Sequence, residues 1–228
     1  MILVAGVVLL PAHAIAAGGA FVVDDVEIGK PGDCKVESSA SFASNHDFLG
    51  VVSPACVVNL GRPVELGFSL ARSRSDGEWG TALVLKGKTN ISPVGPGSLG
   101  LAISGATAFD LLTGENSASQ VNIPVTFQII EQFKINLNAG WLYERQENLH
   151  WFTYGAGFEW SLVKPVTLIG EVFGLVGQRA EPSARTDPRG QIGLRFTPVD
   201  NVDIDFIYGR NIAGENAHWG TIGVNLRF

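Results

Sequence analysis

Thr221-Ile222-Gly223-Val224-Asn225-Leu226-Arg227-Phe228 sets Ile, Val, Leu and Phe at even positions and Thr, Gly, Asn and Arg at odd ones. Successive side chains of a β-strand point to opposite faces, so this stretch has one face suited to hydrocarbon and one suited to water. Residues 202–208 repeat the rule, with Val202, Ile204, Phe206 and Tyr208 on one face and Asp203 and Asp205 on the other. A carboxylate is too costly to place against lipid tails, so the acidic face must point to a polar interior.

Working towards the amino terminus, segments of the same kind are expected at 191–196, 166–176, 150–162, 133–143, 121–129, 99–109, 81–88, 64–70, 48–60 and 35–42. A membrane-crossing strand needs about 9–11 residues, so one domain can use the chain. The expected fold is all-β: a transmembrane antiparallel up-and-down β-barrel of about twelve strands over residues 34–228. A soluble secreted β-sandwich is the competing architecture. Connections should alternate between short periplasmic turns and longer external loops. Gly61-Arg62-Pro63, Glu131-Gln132, Val163-Lys164-Pro165 and Val199-Asp200-Asn201 read as tight; 72–78, 112–119, 144–148, 178–189 and 213–217 read as longer and polar, with 91–98 out of step. Trp79, Trp141, Tyr143, Trp151, Tyr154, Tyr208 and Trp219 fall near loop-side strand ends, and Trp160 and Phe228 near the other, as interfacial girdles require.

The composition agrees. Mean hydropathy is +0.21 with 28 glycines, yet past residue 20 no apolar run reaches the roughly 18 residues of a spanning helix. Net charge is −6 without a Lys/Arg block, which argues against nucleic acid as a partner. Residues 1–16 read as a signal peptide, an apolar run Ile2 to Leu10 followed by the cleavage patterns Ala12-His13-Ala14 and Ala14-Ile15-Ala16. No Lys or Arg precedes that run, which leaves an upstream start open. Residues 17–33 are expected to be a periplasmic lead-in made flexible by Gly18-Gly19 and Pro31-Gly32; the sequence leaves open whether it stays a tail or enters the lumen as a plug.

Parity assigns inward positions: Lys35, Lys86, Lys88, Lys134, Arg195 and Arg227 against Glu37, Glu65, Asp110, Glu159, Glu171, Asp203 and Asp205. Positions facing across a hairpin have a constant sum, which pairs Arg195 with Asp205, Glu65 with Lys86, and Cys34 with Cys56 as a candidate disulfide. A lumen of mixed sign fits a narrow conducting pore or a closed, salt-bridged interior. The pore is the preferred reading; a closed structural or surface-interaction barrel, with its function in the loop 178–189, is the alternative.

Enzyme chemistry, cofactor and metal are not expected. His46, His150 and His218 sit at loop-side strand ends without ligand spacing, and His150 lacks a same-face serine nearby, which leaves an outer-membrane lipid enzyme the weakest option. Gly95-Pro96-Gly97-Ser98-Leu99-Gly100 matches G-x-G-x-x-G but precedes a strand, so it reads as a glycine turn.

Asp187-Pro188, Ile192 through Pro198, Asp203-Ile204-Asp205, Tyr208-Gly209-Arg210, Gly214 through Ala217 and the terminal Asn225-Leu226-Arg227-Phe228 resemble a family of outer-membrane transporters associated with the meta-cleavage pathway of phenol degradation. The resemblance implies passage of small solutes, apolar or aromatic ones included, and transfers no binding residue. The end of the chain, Ile222, Val224, Leu226 and Phe228, also looks like the signal read by the barrel-assembly machinery. The expected surroundings are therefore the bacterial outer membrane with its lipid and lipopolysaccharide, and that machinery as a transient partner.

Overall fold

The computed structural model describes residues 19–178 and 184–228; the signal-peptide reading of residues 1–16 falls outside them. The strands are β1 (Cys34–Ala43), β2 (Phe48–Asn59), β3 (Pro63–Ser75), β4 (Glu78–Ser92), β5 (Leu99–Asp110), β6 (Asn116–Ile130), β7 (Phe133–Glu144), β8 (Leu149–Val163), β9 (Val166–Gln178), β10 (Ala184–Thr186), β11 (Arg189–Val199), β12 (Val202–Asn211) and β13 (His218–Arg227). Each pairs antiparallel with its neighbour in the chain, except that β10 and β11 both pair with β9, and β13 returns to β1, from Lys35 opposite Arg227 to Ala43 opposite Trp219. That last ladder closes the sheet, so no edge is left unpaired in lipid. Strands β10 and β11 lie on β9 in one register, with Thr186 opposite Val176 and Arg189 opposite Phe173. Pro188, which has no N–H, interrupts the pair, so they count as one strand and the barrel has twelve.

The period of two is kept round the wall. Leu66, Phe68 and Leu70 of β3, Val121 and Ile123 of β6, Phe206 and Tyr208 of β12 and Ile222 of β13 are exposed on the outside. Ser69 and Ala71, Asn122, Asp205 and Ile207, and Thr221, their neighbours of opposite parity, are buried inside. An apolar belt of this extent is stable only against hydrocarbon. Prolines interrupt individual ladders: β2–β3 skips Ser53 and Pro54, and β5–β6 skips Ile123 and Pro124.

Two expectations need correction. Residues 72–78 are not a long loop: β3 and β4 continue to Ser75 opposite Glu78, joined by Asp76-Gly77 with φ of 51° and 84°. Positive φ at both central residues is the primed hairpin turn that Asp-Gly favours. The ladder runs beyond the apolar belt into water, where both faces are polar and the alternation that marks a strand disappears. That shift of the turn pairs Glu65 with Lys88 rather than Lys86, which lies opposite Gly67. The second correction concerns the girdle. Trp79, Trp141 and Tyr208 are exposed outside, but Trp151 is buried in the barrel, and Trp219 shares inward parity with buried Thr221 and Asn225. Placing aromatics by depth alone ignores the parity that decides which side of the wall they occupy.

Cys34 and Cys56 are opposite one another on β1 and β2 and joined by a disulfide closing a separation of 22 residues. A loop of that length is worth about 3 kcal/mol in the chain-entropy model. Replacing both cysteines by serine should leave the fold intact and lower the urea-unfolding free energy by about that amount; an unchanged midpoint would show that the closed ladder already supplies the constraint.

Candidate functional site

The lead-in is not an external tail. Beginning at Gly19 it runs inside the barrel, with Phe21, Val23 and Val26 buried, Val26 completely. It forms no strand, so its backbone groups find partners on inward side chains of the wall. Val22 and Val23 donate their N–H groups to the two carboxylate oxygens of Glu171 at 3.0 and 3.1 Å. Asp24 N–H donates to Asn138 Oδ1 at 2.8 Å, and Asn138 Nδ2 donates back to Asp24 C=O at 2.6 Å. Val26 N–H reaches Thr126 Oγ1 at 3.1 Å. The wall leaves room for it: a Cβ at Gly155 would stand 2.9 Å from Val23 Cγ2, and one at Gly223 2.7 Å from Ala20 Cβ.

The acidic run of the segment sits on wall lysines. Lys88 Nζ lies 2.8 Å from Asp24 and 3.3 Å from Asp25; Lys134 Nζ lies 3.4 Å from Asp25, 3.5 Å from Glu27 and 3.2 Å from Glu159. Wall residues pair among themselves elsewhere. Lys35 is 3.0 Å from Glu65 and 3.5 Å from Glu37, Arg195 Nε donates to Asp205 at 2.8 Å, and Arg227 donates to Asp203. Lys86 donates to Ser53 Oγ and has no carboxylate within ion-pair reach among the described residues. Asp110 stays at its strand end, where its carboxylate accepts the N–H groups of Leu112 and Thr113 and shapes the turn.

The segment divides the lumen in two. Towards the end holding both barrel termini lies a cavity of about 660 Å³, lined by Lys35, Lys86, Lys88, Lys134 and Arg227 among others. At the opposite end a cavity of about 200 Å³ is bordered by Asn45, Asp47, Arg189, Gln191, Trp219 and Thr221. Both reach Gly19 and Phe21. At that neck Phe21 packs with Ala20, Ile169 and Ile207, and the Arg195 guanidinium lies 5.3 Å from its ring centre. Val84, Ala108, Ala118, Leu142 and Trp151, from β4 to β8, form a separate buried apolar cluster.

Of the residues expected to line the lumen, the structure thus brings Lys88, Lys134, Glu171 and Arg195 against the segment, and keeps Lys35, Glu37, Glu65, Glu159, Asp203, Asp205 and Arg227 in wall pairs. His150 stacks on Tyr143 and Trp141, at 4.9 and 5.5 Å between ring centres. Phe228 directly follows β13, exposed, with its backbone bonded to Cys34. Sequence reasoning passed over Phe21, Asp24, Asp25, Glu27, Thr126 and Asn138. The available signal was the set of inward amides and hydroxyls on β6 and β7, which have no partner on the wall's own backbone.

A model of the family described as uncharacterised conserved protein UCP029691 matches residues 5–228. The chain belongs to that family. No curated protein matches the sequence. Among solved structures, the barrel is similar to the KdgM porin, with TM-score 0.65, 9% identity, and coverage of 85% of this chain and 99% of that one. The NanC porin gives TM-score 0.66 at 7% identity, covering 84% and 98%. The COG4313 outer membrane channel from Pseudomonas putida F1 gives 0.63 at 14% identity, covering 90% and 98%. At these identities the likeness establishes a porin-like barrel fold for this UCP029691 chain.

Proposed function

We propose that the protein is a narrow outer-membrane channel for small hydrophilic solutes, held closed in this state by its own residues 19–33. One observation carries the reading: two cavities, one towards each end of the barrel, meet at Gly19 and Phe21, where the segment packs against Ile169 and Ile207 and stands between them. The apolar belt and the porin-like fold support a membrane setting, with lipopolysaccharide around the barrel and the terminal strand to Phe228 as the mark read by assembly machinery. The meta-cleavage resemblance implies apolar or aromatic solutes. The lining favours a hydrophilic one, because nearly half of the residues around the larger cavity are charged, and an apolar solute would strip them of water without replacing their hydrogen bonds.

Planar-bilayer conductance tests this. The full mature chain should give rare or small openings, and a variant lacking residues 19–31 steady discrete steps. Phe21→Ala, which widens the neck and keeps the rest of the segment, should fall between them. If all three insert and stay silent, the barrel is closed by its wall and the structural or surface-interaction reading replaces the channel.

A further inference from the structure

We propose that Lys86 and Lys88 of β4, with Lys134 of β7, form a binding site for small di- and tricarboxylates, and that Asp24, Asp25 and Glu27 occupy it as a built-in ligand. The biological use of such a site rests on the channel reading; the binding does not.

The distribution of charge partners carries the argument. Lys35, Arg195 and Arg227 each have a carboxylate on the wall itself. Lys134 has one wall carboxylate, Glu159, and two from the segment. Among the described residues, Lys88 meets carboxylates within ion-pair distance only on the segment, and Lys86 meets none. Lys86 and Lys88 stand two apart on one strand and so point to the same side. Like charges so placed repel. Glu65 stands opposite Lys88 in the β3–β4 ladder, but its carboxylate pairs with Lys35 at 3.0 Å and is in ion-pair reach of neither β4 lysine. The anion for Lys88 is supplied instead by a covalently attached segment that lies in the space a solute would use.

The contacts also indicate which anion fits. Asp25 touches both Lys88 and Lys134, while Asp24 and Glu27 each extend to one of them. The bound charge is therefore spread across two separated ammonium groups, a pattern that several carboxylates on one carbon frame reproduce and a single compact anion does not. The adjoining cavity of about 660 Å³ is large enough for such a molecule. Because the segment is tethered, its effective concentration at the site is high, and a free carboxylate must compete with it. Its apparent affinity is reduced by the fraction of barrels whose site is already filled.

Calorimetric titration with citrate of the detergent-refolded full chain tests the site, with heat-modifiable gel mobility checking that each variant is folded. The triple variant Asp24→Asn, Asp25→Asn, Glu27→Gln should bind citrate about tenfold or more tighter than the parent. Adding Lys88→Gln and Lys134→Gln to that background should abolish the gain. If the triple variant does not fold, Asp25→Asn alone should tighten binding several-fold, since Asp25 bridges both lysines. Unchanged citrate affinity after neutralising the acids, or a gain that survives loss of both lysines, overturns the site. Inorganic phosphate binding as tightly as citrate overturns the polycarboxylate assignment. Silent bilayers with citrate binding intact would overturn the channel reading and uphold the site.

Discussion

Glu171→Ala releases the amino-terminal segment from the lumen while leaving the barrel folded. Glu171 is buried on β9, and its two oxygens accept the N–H groups of Val22 and Val23 and the Nε2 of Gln191, the last at 2.7 Å. Removing it strands three donors at once. A buried donor left unsatisfied costs about 1–3 kcal/mol, and water from the neighbouring cavity recovers part of that. A net loss of about 2–3 kcal/mol raises the undocked fraction roughly 30- to 150-fold. Hydrogen exchange at the amides of residues 22–26 reads this directly: protection should collapse there and persist in the β1–β13 ladder. Glu171→Gln keeps the shape and one acceptor oxygen, so it should show a smaller effect in the same direction. Unchanged protection in Glu171→Ala would mean that the lysine contacts of Asp24 and Asp25 alone hold the segment.

Asp205→Ala is expected to be the most damaging single change to the wall. Its carboxylate is completely buried, takes Nε and Nη2 of Arg195 at 2.8 and 3.2 Å, and accepts Nδ2 of Asn225 at 3.1 Å. The pair forms because Arg195 and Asp205 are opposite residues of the β11–β12 hairpin. Breaking one side of a buried ion pair costs about 3–5 kcal/mol, because the other charge is left without a partner. Arg195 also reaches over Phe21, so the loss should loosen the neck as well. Urea unfolding in lipid vesicles should show the full loss for Asp205→Ala and recovery of most of it in Arg195→Met/Asp205→Leu, which removes both charges. A loss under about 1 kcal/mol would mean that lumen water solvates Arg195 well enough to make the pair dispensable.

The wall was legible because its determinant is local. Ile222, Val224 and Leu226 against Thr221, Gly223 and Asn225 state which side meets lipid without reference to any other strand, and Arg195 and Asp205 follow from hairpin arithmetic around a tight turn. Where a ladder left the apolar belt, as at Ser73-Arg74-Ser75, alternation vanished and the Asp76-Gly77 turn was misplaced, which shifted the partner of Glu65 by two residues. Trp151 and Trp219 were misread for a related reason, since depth says nothing about the side of the wall.

The sequence by itself determined the strands, their outward and inward faces, the closing carboxy-terminal strand and the charges that line the interior, because a period of two is imposed by the backbone and by the change of solvent from one face to the other. Only the tertiary structure decided what fills that interior. Phe21 to Glu27 have no alternation or turn chemistry that marks a lumen segment, and their partners Thr126, Asn138 and Glu171 lie 100 to 149 residues away. Those partners come together only once all twelve strands have closed, when a stretch of chain with unpaired backbone groups meets a ring of side chains able to bond them.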